Sequence, residues 1–227
     1  MNTFTIKPVG DSALSVIFEQ KISEKVRLAV ARTDAAVRKL PHVIETVPAY
    51  ASILVYYDAF SAGYDEMRLA VETAGAAEAV ETAVGRRVEI PVCYGGSCGE
   101  DLSEVARHAG LSEEEVIAIH SGRDYPLYFI GFLPGFPYLG GLDERLFTPR
   151  RAVPRTAVPK GSVAIGGEQT GVYPSVSPGG WQLIGRTPIE LFDEKNGALC
   201  RAGDTVRFVP ISVAEYRKLS EREAHHA

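Results

Sequence analysis

The sequence predicts a small α+β N-terminal domain with an antiparallel sheet over residues 1–90. A β-barrel or sandwich domain follows over residues 91–227, with a helical insert near its start. Two contrasts predict this. The first stretch alternates β-rich runs with runs of helical period in the order β-β-α-β-β-α-β, the pattern of helices laid on one face of an antiparallel sheet. The second is rich in glycine and proline: residues 131–188 hold 11 of the chain's 22 Gly and 8 of its 14 Pro. Such a fraction can signal disorder, but eight aromatic residues from Tyr128 to Trp181 interrupt it, and disordered chains are poor in those. Ordered, turn-rich loops between short strands are the reading that remains.

Taken in order, Phe4–Val9 and Ser12–Phe18 read as strands around a Gly10-Asp11 turn. Val26, Val30, Thr33, Val37 and Leu40 recur at helical spacing, with Ser23 as N-cap and Pro41 as stop. Val43–Val47 and Ser52–Tyr57 are strands, Tyr64–Ala74 a helix that the Ala-rich stretch can extend to Val84, and Arg87–Val92 a closing strand. Asp101 with Glu104 and Ser112 with Glu115 have capping-box spacing at the heads of two short helices, closed by Gly110 and Gly122. Strands follow at Tyr128–Phe132, Ser162–Ile165, Trp181–Ile184, Ile189–Phe192 and Thr205–Val209, and a last helix starts at Val213.

The balance of 45% hydrophobic and 23% charged residues is that of a globular protein. A net charge of -5 argues against non-specific nucleic-acid or anionic-membrane binding, which needs clustered positive charge. No basic-then-apolar leader and no run long enough to span a bilayer is visible, and three cysteines cannot all pair, so a cytoplasmic setting is expected.

Several motifs lack the company their chemistry needs. Gly95-Gly96-Ser97-Cys98-Gly99 fits the G-x-S-x-G elbow but stands before Gly/Pro-rich β structure, so a flexible inter-domain loop is the plainer reading. Cys93 and Cys98 have no second pair for a metal site. No phosphate-binding G-x-x-x-x-G-K-[ST] loop occurs. His120 ends a helix, where it serves either as a cation at the negative dipole end or as a general acid/base or substrate contact. The richest stretch carries Arg145, Arg150, Arg151, Arg155, Lys160 and Arg186 against one acid, Glu168. Interleaved with glycines, these cations suit phosphate or carboxylate recognition; a solvated basic surface is the alternative.

The same loops resemble a known family. Residues 128–141, Tyr128-Phe129-Ile130-Gly131-Phe132-Leu133-Pro134-Gly135-Phe136-Pro137-Tyr138-Leu139-Gly140-Gly141, are similar to the central signature of the KipI / 5-oxoprolinase B-subunit family, also called allophanate hydrolase subunit 1-like. So are Pro149-Arg150-Arg151 with Pro154-Arg155, Gly171-Val172-Tyr173-Pro174, and the run from Pro178 to Pro188. The resemblance implies that the second domain is a cyclophilin-like β-barrel. It implies a hydrolase component that converts 5-oxo-L-proline to L-glutamate with ATP, Mg as counter-ion, inactive alone. Its implied partners are a second cyclophilin-like 5-oxoprolinase component (the C subunit) and a lactamase-like component (the A subunit). Two other readings share the signature: an inhibitor of a sporulation histidine kinase, and an accessory component of a urea amidolyase or biotin-dependent carboxylase. The residues expected to carry the chemistry are His120, Arg155 and Lys160 as catalytic groups. Arg151, Gln169, Thr170, Gly179, Gly180, Gln182 and Arg186 are expected to hold substrate or phosphate, and no metal site is expected.

Overall fold

A computed structural model describes residues 4–76 and 85–226, and the chain divides into two compact units, Met1–Val84 and Gly85–Ala227. In the first unit β1 (Thr5–Val9) and β2 (Ala13–Ile17) form a hairpin, α1 (Glu24–Val37) follows, then β3 (Val43–Pro48), β4 (Ser52–Tyr57) and α2 (Tyr64–Ala76). The sheet order is β1-β2-β4-β3, with every pairing antiparallel. Ser23 caps α1 by accepting from Val26 N–H. Alternation on the strands sends Leu14, Val16, Ile53 and Val55 to one face, where they meet Val26, Val30 and Val37 of α1 and Met67 and Val71 of α2. Each such buried side chain contributes roughly 1.5–3 kcal/mol of transfer free energy. The Ala-rich extension of α2 towards Val84 lies outside the described residues.

The second unit starts with β5 (Arg87–Tyr94), α3 (Leu102–Ala109), α4 (Glu113–Ser121), β6 (Asp124–Ile130) and β7 (Pro137–Leu139). A 3-10 turn (Glu144–Leu146) leads to β8 (Arg155–Val158), β9 (Ser162–Gly166), β10 (Gln169–Val172), β11 (Ser177–Gly179) and β12 (Gln182–Arg186). The chain ends with β13 (Phe192–Asp193), β14 (Gly197–Ala198), β15 (Thr205–Pro210) and α5 (Val213–His226). Seven strands close a barrel in the order β10-β7-β6-β15-β5-β12-β9. Its interior is filled by Ile90, Val92, Tyr125, Leu127, Leu139, Val163, Ile165, Ile184, Val206 and Phe208, with Leu102, Val105 and Val116 added from α3 and α4.

Four sequence expectations need correction. The strand at Arg87 does not close the N-terminal sheet: β5 pairs in parallel with β15 and antiparallel with β12, so it is a barrel stave. The Gly95–Gly99 loop likewise joins β5 to α3 inside the barrel unit and does not link domains. Asp101 does not cap α3 with its side chain; its carboxylate is drawn to Arg151, Arg155 and the Leu183 N–H. Ile189–Phe192 is not a strand, because Thr187 Oγ1 takes the Ile189 N–H, and β13 pairs only with β14. The Ser112–Glu115 capping box of α4 forms as expected. Among the described residues no helix is long and apolar enough to cross a membrane.

Candidate functional site

Beside the main barrel core lies a second, smaller cluster: Phe136, Val158, Ala164, Tyr173, Trp181 and Leu183. It forms the floor of an open pocket of about 300 Å3. Phe132, Phe136, Tyr138, Tyr173 and Trp181 supply aromatic walls, Pro154 and Pro178 add rigid edges, and Gly179, Gly180 and Arg150 complete the lining. Phe136 is the hub, edge-on to Tyr173 at 5.3 Å and to Trp181 at 5.6 Å between centroids. These edge-to-face contacts fix the rings in place. The Gly/Pro signature is explained by this crowding. A Cβ at Gly166 would come within 2.6 Å of the Trp181 indole, and one at Gly179 within 2.4 Å of the Tyr173 hydroxyl oxygen.

Two loops carry the walls, and side-chain and backbone hydrogen bonds lock them together. Arg151 N–H donates to Gly180 O at 2.7 Å, and Gln182 Nε2 donates to Pro149 O at 2.9 Å. Arg150, between these two anchors, is exposed, and its guanidinium carbon lies 5.7 Å from the Trp181 ring centroid, a cation–π arrangement. Among the described residues Arg150 is paired with no carboxylate. Phe132 stands at the rim, 63% exposed, with φ +64° and a Leu133 N–H to Gly131 O bond closing a γ-turn around it. A bulky side chain in the left-handed region is strained, and such strain collects where a residue is held for function. Burial raises the pKa values of Tyr138 and Tyr173, and Arg150 opposes the shift in both.

The predicted site residues do not converge on one point. Gly179 and Gly180 line the pocket, and Gln182 positions its Arg150 loop. Arg151 and Arg155 meet on the buried Asp101 carboxylate, at 3.2 and 2.8 Å, and Arg155 also reaches Glu100. Lys160 pairs with Glu190, and Arg186 Nε donates to Lys160 O at 2.9 Å, so these two cations are neighbours of each other and do not line the pocket. The acid-poor character of residues 145–187 is thus a property of the sequence window; the fold supplies Glu100, Asp101, Asp143 and Glu190 from elsewhere.

His120 and Thr170 are inside the barrel with no exposed surface. Thr170 Oγ1 donates to Ala164 O, so it accepts from His120 Nε2 at 2.9 Å, and Nδ1 then accepts from the Tyr94 hydroxyl at 2.7 Å. Burial lowers the His120 pKa to about 3, so the ring is neutral. Neither the dipole-cation role nor contact with substrate is open to it. Gln169 holds a buried, unpartnered Oε1. Cys93, hydrogen-bonded to Cys98, is pushed up to about 12 chiefly by burial, so it is a protonated thiol at neutral pH. Ser97 is exposed on its turn, and among the described residues no histidine or carboxylate is hydrogen-bonded to it.

Sequence reasoning flagged Arg150 only as one cation among six and passed over Phe132, Phe136, Tyr138, Tyr173 and Trp181. The available signal was that all five aromatics lie in the signature strings.

The chain falls in a recognised domain class: the family described as carboxyltransferase domain, subdomain C and D, matches residues 4–201. Within that class the chain belongs to the 5-oxoprolinase B-subunit family. It is 45% identical to the 5-oxoprolinase B subunit of Bacillus subtilis (strain 168), over 96% of this chain and 97% of that protein. It is 49% identical to that of Haemophilus influenzae (strain ATCC 51907 / DSM 11121 / KW20 / Rd), over 90% and 96%. Among solved structures, TTHA0988 superposes with a TM-score of 0.76 at 38% identity over 88% of this chain, which spans 40% of that longer protein. The K. lactis urea amidolyase matches in fold alone, with a TM-score of 0.79 at 19% identity over 96% of this chain and 15% of that one.

Proposed function

We propose that this chain is the B subunit of an ATP-dependent 5-oxoprolinase, a cytoplasmic complex that hydrolyses 5-oxo-L-proline to L-glutamate. The observation that carries the reading is the 45–49% identity to proteins of that name over nearly their whole length. The cyclophilin-like character expected of the barrel belongs to the same reading. The partners are a second cyclophilin-like protein and a lactamase-like protein. The urea amidolyase likeness, being one of fold, lends no activity.

The chemistry explains why ATP is needed. A lactam carbonyl is a weak electrophile. Transfer of the γ-phosphoryl group to its oxygen expels ADP and activates the ring carbon. One water adds there, the C–N bond breaks to free the amine, and a second water releases phosphate from the resulting acyl phosphate. Such transfer needs fixed positive charge around the phosphoryl oxygens. Lys160, exposed, and Arg186, half-buried beside it, are the cations we assign to that task. Mg2+ enters with the nucleotide as its counter-ion. The site is composite in this reading, completed by the partner proteins.

The test is to purify the components separately, mix them in every combination and follow glutamate and phosphate together. This chain alone is expected to give no 5-oxoproline-dependent ATP hydrolysis, and the full mixture is expected to release both products in step. Full turnover by this chain alone would remove the composite site. A silent complete mixture would remove the 5-oxoprolinase assignment.

A further inference from the structure

We propose that the rim pocket binds the small cyclic acid itself, with Arg150 holding its carboxylate and the aromatic walls enclosing its ring, while the nucleotide binds elsewhere. This rests on the 5-oxoprolinase reading and adds a place for the substrate within it.

Three observations meet here. The first is charge. Arg145, Arg151 and Arg155 each pair with Asp143, Asp101 or Glu100, and Lys160 pairs with Glu190. Arg186 turns its Nε to the Lys160 carbonyl. Arg150 alone among these cations lines the pocket. The Arg150 guanidinium lies over the Trp181 ring, 5.7 Å from its centroid, and a cation–π contact uses none of its N–H donors, so its fork can meet a carboxylate bidentately.

The second is size and shape. A volume of about 300 Å3 stands at the bottom of the roughly 300–1,000 Å3 range of ligand pockets. It suits a single small ring better than a nucleoside triphosphate. Flat walls from Tyr138, Tyr173 and Trp181 and the rigid edges of Pro154 and Pro178 match a near-planar five-membered lactam.

The third is fixation. The Arg150 loop is tied to the opposite wall at Gly180 and by Gln182, the floor is pinned by Phe136, and Phe132 is held strained at the mouth. Sites that must orient a substrate are held by such supporting contacts.

Trp181 is the chain's one tryptophan, so its fluorescence reports on the pocket directly. The experiment has two arms. In the reconstituted complex, Arg150→Ala is expected to raise the KM for 5-oxo-L-proline at least tenfold and leave the KM for ATP within twofold. Arg150→Lys, which keeps charge but not the fork, should recover part of the loss. Titration of the full chain and of the complex with 5-oxo-L-proline should change Trp181 emission saturably. 2-Pyrrolidinone, which has the ring without the carboxylate, should bind at least tenfold more weakly. Thermal melts of both variants check the fold. An unchanged KM for 5-oxoproline in Arg150→Ala, or a rise in the KM for ATP alone, overturns this placement and leaves the 5-oxoprolinase function standing. If the wild-type complex turns over no 5-oxoproline, the function falls. The fluorescence arm then decides the pocket by itself: saturable, carboxylate-dependent binding keeps it, and no response overturns it.

Discussion

The barrel holds two clusters of rings, each built around one nitrogen-bearing side chain, and they differ in burial, in charge and in the space left open beside them. Inside, His120 sits among Tyr94, Tyr125 and Phe208, stacked on Phe208 at 4.6 Å, with both ring nitrogens bonded and no exposed surface. At the rim, Arg150 sits among Phe136, Tyr138, Tyr173 and Trp181 with a cavity in front of it and, among the described residues, no carboxylate partner. One cluster has committed every hydrogen bond to the fold; the other keeps a charge and a volume in reserve. Residue type alone would have ranked them the other way, because histidine is the more versatile catalytic group. Unused hydrogen-bonding capacity next to unused space is the better guide to function.

If that criterion is sound, breaking a buried, charge-paired cluster changes stability first. Asp101 gives the largest effect. Its carboxylate, 8% exposed, accepts from Arg151, Arg155 and the Leu183 N–H. Removing a buried charge leaves its partners uncompensated, so Asp101→Asn is expected to cost about 3 kcal/mol. Urea unfolding of the variant and the wild type measures it. A loss below about 1 kcal/mol, with catalysis abolished in a folded complex, would show Asp101 to be chemical and break the comparison.

His120 comes next. Its folded pKa of about 3 lies below the unfolded value of 6.5, so the unfolded chain binds the extra proton between those pH values. Stability from this group is complete above pH 6.5 and is lost as pH falls towards 3; at pH 5 the loss is about 2 kcal/mol. His120→Gln removes the linkage. The wild type should therefore lose about 2 kcal/mol more than the variant between pH 8 and pH 5 in matched denaturant melts. Equal losses would place the ring in contact with water.

Most of the fold was legible in the sequence because periodicity reports burial directly. Val26, Val30, Thr33 and Val37 mark the α1 face, and Ser12–Phe18 and Ser52–Tyr57 mark the strands that receive it. The family strings of residues 128–141 and 178–188 located the region of the site. The allocation of β5 was not legible, because parallel pairing with β15 joins residues more than a hundred positions apart and leaves no local trace. The pairing of cations was hidden for the same reason. Arg155 and Asp101 are neighbours only after the barrel closes, so a sequence window that looks uniformly basic folds mostly into ion pairs, with Arg150 at the pocket and Arg186 beside Lys160 as the exceptions among the described residues. The aromatic walls were present as letters, but which rings face one cavity depends on short strands such as β7 and β11, too brief to show a period.

Lys160 gives the smallest effect and the sharpest separation of stability from chemistry. Its ammonium pairs with Glu190, but the two side chains are 49% and 35% exposed, and a pair so hydrated contributes only about 0–1 kcal/mol to folding. Lys160→Ala is therefore expected to leave the thermal melt almost unchanged and to respond weakly to salt. Its assigned task is different: with Arg186 beside it, it supplies fixed charge to a transferring phosphoryl group. Loss of that charge should lower kcat of the reconstituted complex at least tenfold, about 1.4 kcal/mol of transition-state stabilisation. The KM for 5-oxoproline should hardly move, since the ring is bound at the Arg150 pocket. A raised KM for 5-oxoproline with kcat intact would bring Lys160 into the ring's own site and remove the division of labour between Lys160 and Arg150. Wild-type kinetics throughout would return Lys160 to the satisfied class, its charge already answered by Glu190.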